Sequence, residues 1–85
     1  MTVSFITPKQ TINHENIIDM VIPTPNGQRH INNTNGNVDL LKKGKVTLLL
    51  KKEGSDKPET IEFYVNNGVV YVEQKVINIV TEDIN

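Results

Sequence analysis

Two histidines, His14 and His30, and ten carboxylates are the acid–base and metal-binding candidates of this 85-residue chain. A catalytic histidine needs a nucleophile or carboxylate fixed beside it. Glu15 follows His14 directly, but neighbours on an extended strand point to opposite faces. Both histidines therefore read as surface residues. Zinc takes three or four ligands, and His14, His30 and the scattered carboxylates show no ligand spacing. The chain has no cysteine, hence no disulfide, thiolate ligand or thiol nucleophile. Glu53, Asp56 and Glu59 gather as an acid–base pair would. Lys51, Lys52 and Lys57 lie among them with Gly54 and Pro58, so the stretch reads as a solvated hairpin tip. Gly27, Gly36 and Gly44 fit neither a phosphate loop nor a dinucleotide fingerprint. Asn32-Asn33-Thr34 matches a glycosylation sequon, which without a secretory signal reads as chance. Lys42, Lys43 and Lys45 form a small basic cluster best read as a solvated turn. The residues assign no catalytic, cofactor-binding or metal site, and the expectation is a binding or assembly role rather than an enzyme.

The elements that carry these residues are strands. Ala and Trp are absent, and Val, Ile, Thr, Phe and Tyr supply 32 of the 85 residues, a composition suited to pleated, half-buried sheets. Asn occurs 11 times, and the pairs Asn26-Gly27, Asn35-Gly36 and Asn67-Gly68 suit turns with positive φ. The length allows one domain, 1–85. The net charge of −1 gives no footprint for nucleic acid. No apolar run reaches the roughly 20 residues that cross a bilayer, so no direct membrane insertion is expected, and Met1–Ile6 does not read as a signal peptide. A cytosolic location, or a membrane-associated complex reached from it, is the simplest expectation.

Eight strands follow from alternation and turn signals: Val3–Thr7, Gln10–His14, Asn16–Ile22, Val38–Leu41, Lys45–Lys52, Thr60–Val65, Val69–Glu73 and Val76–Thr81. Pro8 breaks the first. Asn16–Ile22 is apolar at both parities, which predicts burial on both sides. Gln28–Asn37 reads as a long polar loop or poorly ordered hairpin. Turns are expected at Gly44 and Gly68, the latter at positive φ. Ile61, Phe63, Val65, Val46, Leu48, Leu50, Val70, Val72, Ile77 and Ile79 are the expected core. Leu40 and Leu41 are adjacent and cannot both face it. The expected fold is an all-β antiparallel sandwich of about eight to ten short strands.

Read in order, several segments resemble one family. Phe5-Ile6-Thr7-Pro8-Lys9 and Asp19-Met20-Val21-Ile22-Pro23 resemble the first strands of the ε subunit of the rotary F-type ATP synthase. Leu41-Lys42-Lys43-Gly44-Lys45-Val46 resembles that family's "LKPGVV". Phe63-Tyr64-Val65-Asn66-Asn67-Gly68-Val69-Val70-Tyr71-Val72 resembles "FFVSGGFVEV", and Val76-Ile77-Asn78-Ile79-Val80-Thr81-Glu82 resembles "KVTILAD". The family's "GDFGILPNHAPL" has a weak counterpart in Gly27–Val38, where Gly27 and Ile31 match. The resemblance implies a ten-strand sandwich. It implies a non-catalytic stalk subunit with the γ subunit and the c-ring as partners, on the cytoplasmic face of the bacterial inner membrane. Partner contacts are expected at Gly27, Ile31 and whichever of Leu40 and Leu41 is exposed. The family's Ala-rich helical hairpin has no counterpart before Asn85, so neither inhibition nor ATP binding is implied for these residues. The rival reading is a free-standing β-sandwich interaction module, such as a phage or adaptor protein.

Overall fold

Period-2 alternation over short segments produces strands with one apolar face. The computed structural model describes residues 1–36 and 38–85, which form nine strands. They are β1 (Thr2–Ile6), β2 (Thr11–His14), β3 (Ile17–Thr24), β4 (Gly27–Ile31), β5 (Asp39–Leu41), β6 (Gly44–Leu50), β7 (Glu59–Val65), β8 (Gly68–Glu73) and β9 (Val76–Thr81). One sheet has the order β2-β1-β9-β8-β5 and the other β4-β3-β6-β7. The core lies between them. Val3, Phe5, Val70, Ile77 and Ile79 enter it from the first sheet, and Met20, Ile22, Val46 and Leu48 from the second. The fold is the expected β-sandwich. It is antiparallel except for β1 and β9, which run parallel from Thr2 opposite Val76 to Ile6 opposite Val80. No helix of the described residues is long and apolar enough to cross a membrane.

Four expectations are corrected. The polar stretch from Gln28 is not a loop throughout, because Gly27–Ile31 pairs with β3, Met20 standing opposite Ile31 and Thr24 opposite Gly27. It is an edge strand, so polar residues are tolerated on it. Asn37, the end of that stretch, lies outside the described residues. β3 is not buried on both faces. A bulge between Ile17 and Asp19 shifts its register, so Ile17 and Met20 both point inward while Ile18 is 44% exposed. Phe63 is half-buried rather than central, since β7 is an edge strand.

Gly68 does not have positive φ; Gly27 (φ 106) and Gly54 (φ 81) do. Gly68 is required for a different reason. A Cβ there would collide with the backbone carbonyl of Val80. Nor does the Asn66-Asn67 turn close a hairpin, because β7 pairs with β6 while β8 pairs with β5 and β9. The chain crosses there from one sheet to the other. At Gly44 the bend ends and β6 begins, and a Cβ would lie 3.3 Å from the Pro23 ring. Pro8 sits in the tight β1–β2 turn, closed by Thr7 N–H donating to the Gln10 carbonyl at 2.9 Å.

Candidate functional site

The outer face of the five-stranded sheet is built by the residues one step out of phase with the core. Leu40 stands opposite Val69, Val69 opposite Val80, and Val80 beside Ile6. Their neighbours Val70, Ile79 and Phe5 are buried, so these four side chains point outward in a row across β5, β8, β9 and β1. Leu40 is 63% exposed, and Val38, just before β5, is 72% exposed. At one end of the row an open cleft of about 430 Å³ is lined by Ile6, Pro8, Gly68, Val69 and Val80, with Asn67 and Glu82 also on its wall.

The outer face of the four-stranded sheet carries charged and polar pairs together with Tyr64, which is 59% exposed. Lys45 Nζ pairs with Glu62 Oε2 at 2.7 Å, and His30 Nδ1 lies 3.2 Å from Asp19 Oδ2. The hydrogen bond to Glu62, and then its negative charge, raise the Lys45 pKa above the usual lysine value.

The two open sides of the sandwich are closed by different chemistry. Where β4 and β5 meet, Arg29 donates to the Asp39 carboxylate across the gap between the sheets. Where β2 and β7 meet, the His14 ring packs against Phe63 at 5.2 Å and edge-on to Phe5 at 5.8 Å. Its Nε2 is buried without a hydrogen-bond partner. His14 is thus not a surface residue; it fills the seam as a flat, largely apolar plug. His30 is exposed, as expected.

Among the described residues no three His, Asp, Glu or Cys side chains come together as a metal set. Of the expected contact residues, Leu40 is exposed and Leu41 is buried at 3%, so the pair divides as its adjacency requires. Gly27 is exposed at the β3–β4 turn, while Ile31 is half-buried on the core side of β4. Those two do not join the row of Leu40. Val69, Val80 and Ile6 belong to it and were not singled out from sequence. The signal was present: Val69-Val70 and Ile79-Val80 are adjacent apolar pairs in alternating strands, and one member of each must face outward.

No family model matches the sequence, and no curated protein matches it. A solved structure does. A chain of the central stalk and c-ring of the mitochondrial ATP synthase of Tetrahymena thermophila, determined by cryo-EM, superposes with a TM-score of 0.77 at 18% identity. The match covers 100% of this chain and 65% of that one. At that identity the likeness shows a shared fold.

Proposed function

We propose that this chain is a non-catalytic rotor subunit of a rotary ATP synthase, the counterpart of the ε subunit, linking the γ subunit to the c-ring. The observation that carries the reading is the fold match over the whole chain to a component of an ATP synthase central stalk. The ordered resemblance of the segments from Phe5 to Glu82 to the ε family supports it independently. A coupling subunit transmits torque, so it needs a stiff body and a surface that grips a neighbour. Two sheets over one core supply the first. The outward row of exposed Leu40 and half-buried Val69, Val80 and Ile6 supports the second, because apolar surface on an outer face favours an interaction site. Held in this way the protein is peripheral to the membrane that carries the complex, on the cytoplasmic side in a bacterial cell. Neither ATP binding nor ATP hydrolysis is assigned to these residues.

The test is binding of the purified chain to the γ subunit of its own organism. A standard-size contact buries about 1,600 Å² in total, and co-elution with a calorimetric signal is the expected result. Absence of binding at high micromolar concentration, or tight calorimetric binding of ATP to the chain alone, would overturn the reading. Partners recovered from the native membrane fraction provide a second readout: ATP synthase subunits support the proposal, and a set without them supports the interaction-module rival.

A further inference from the structure

Three Asn-Gly pairs punctuate the chain, at Asn26-Gly27, Asn35-Gly36 and Asn67-Gly68. In such a pair the glycine backbone nitrogen attacks the asparagine side-chain carbonyl carbon, unhindered by a Cβ on the glycine. A bond forms between the Gly nitrogen and Asn Cγ, and the Cγ–Nδ2 bond breaks. The amide proton leaves with the side-chain nitrogen as ammonia. Water then opens the cyclic imide at one of its two carbonyls, giving aspartate or isoaspartate. The step requires an asparagine side chain that is not tied down and a backbone that can rotate toward it. The fold grants these unequally.

Asn67 is held at both ends. Its Oδ1 accepts the Lys43 backbone N–H at 2.8 Å, and its backbone carbonyl accepts the Thr81 hydroxyl at 3.4 Å. Gly68 is paired with both Leu41 and Thr81. Asn26 lies in a two-residue turn between paired Thr24 and Gly27. The Thr24 hydroxyl accepts the Asn26 N–H at 3.2 Å and donates to the Gly27 carbonyl at 2.6 Å, which locks the turn. Asn35 is exposed and outside any strand. Its own N–H donates to Asn33 Oδ1 at 2.9 Å; its carboxamide, like that of Asn26, makes no hydrogen bond to another described residue, so what sets Asn35 apart is that no ladder-paired residues flank it as Thr24 and Gly27 flank Asn26.

We infer that Asn35 is the spontaneous deamidation site of the folded protein, with Asn26 and Asn67 protected by the fold. This inference is independent of the role proposed above. The modification falls on a sensitive place. Asn35, Arg29 and Asp39 line the same small crevice where β4 meets β5, so a new carboxylate there competes with Asp39 for the guanidinium. Gly36 lies against Val72 so closely that a Cβ would be 2.5 Å from the Val72 Cβ. Isoaspartate routes the backbone through the Asn35 side chain and lengthens it by one atom, which lifts Gly36 from that seat.

The experiment ages the purified chain at neutral pH, folded and in denaturant, and follows the three pairs by peptide mapping. Replacement of –NH₂ by –OH and the isoaspartyl isomer are the readouts. Expected is conversion at Asn35 several-fold faster than at either other site in the folded protein, with the three rates converging in denaturant. Equal or faster conversion of Asn26 or Asn67 in the folded state overturns the inference, as does an Asn35 preference that persists in denaturant. Ageing should also lower the melting temperature of the wild-type chain and spare Asn35→Gln, whose longer side chain disfavours the imide. An equal fall in both overturns the structural consequence.

Discussion

On the outside of the four-stranded sheet Lys45 meets Glu62 and His30 meets Asp19, whereas the five-stranded sheet presents Leu40, Val69, Val80 and Ile6. Both surfaces obey the same alternation, and both back onto the same core. The difference is what the outward positions were given. Polar and charged pairs on an outer face satisfy themselves and stay hydrated. An apolar row gains free energy only when something covers it. Under the proposed role the five-stranded sheet is the candidate for a partner, while the other sheet exposes Tyr64 (59%) beside its ion pair.

The largest expected effect tests how the apolar face is assembled. Gly68→Val drives a side chain into the Val80 carbonyl and parts β8 from β9, where Val69 and Val80 meet. It should cost about 3 kcal/mol, measured by denaturant unfolding. An unchanged midpoint would show that the two strands are not so tightly apposed. Next is Leu40→Asp. Leu40 is 63% exposed, so the melting temperature should hold, while affinity for γ falls by about tenfold, the scale of a contact worth roughly 1.4 kcal/mol. The equivalent change on the other face, Thr60→Asp, should leave binding alone. Equal losses from both would erase the distinction between the faces.

A gain is expected from the β8–β9 turn. Gln74 (φ 51) and Lys75 (φ 63) both lie in the left-handed region, which costs side chains about 1 kcal/mol each. Lys75→Gly should therefore raise stability by about 1 kcal/mol, read as a higher melting temperature. The smallest effect belongs to the charged face. The raised pKa of Lys45 means that its pairing with Glu62 stabilises the fold below the ordinary lysine range and is lost as pH climbs through the raised value. Both partners are well exposed, so Glu62→Gln should leave the melting temperature unchanged at low and at high salt.

Strand positions were legible wherever one face is apolar, as in Val46–Leu50 or Ile61–Val65, because alternation has a physical cause in burial. β4 was not, since Gly27–Ile31 sits at an edge and only Ile31 has a core to touch. The bulge in β3 was misread as two-sided burial because a register shift and a doubly buried strand leave the same run of Ile, Asp, Met, Val and Ile. Gly68 was expected at positive φ, whereas its need for a glycine comes from the close approach of the Val80 carbonyl on the neighbouring strand, which leaves no mark in the residues beside it. His14 was misplaced because its neighbours in space, Phe5 and Phe63, are remote in sequence. Of the candidate site, adjacency alone required that one of Leu40 and Leu41 face outward, while which one, and the rest of the row, required the pairing of β5, β8, β9 and β1.

That β1 lies parallel beside β9 has a consequence for how the molecule is made. The four-stranded sheet draws on β3, β4, β6 and β7, with hairpin partners close along the chain, and can begin to form while synthesis continues. β1 has β2 for a partner early on, but its other edge stays open until β9 arrives, with Thr2 waiting for Val76. Closing such a distant pair costs more loop entropy than closing a hairpin, so β1–β9 pairing is expected late in folding. During that interval the exposed edge of β1 is the place where a chaperone, or another nascent chain, finds an unpaired strand.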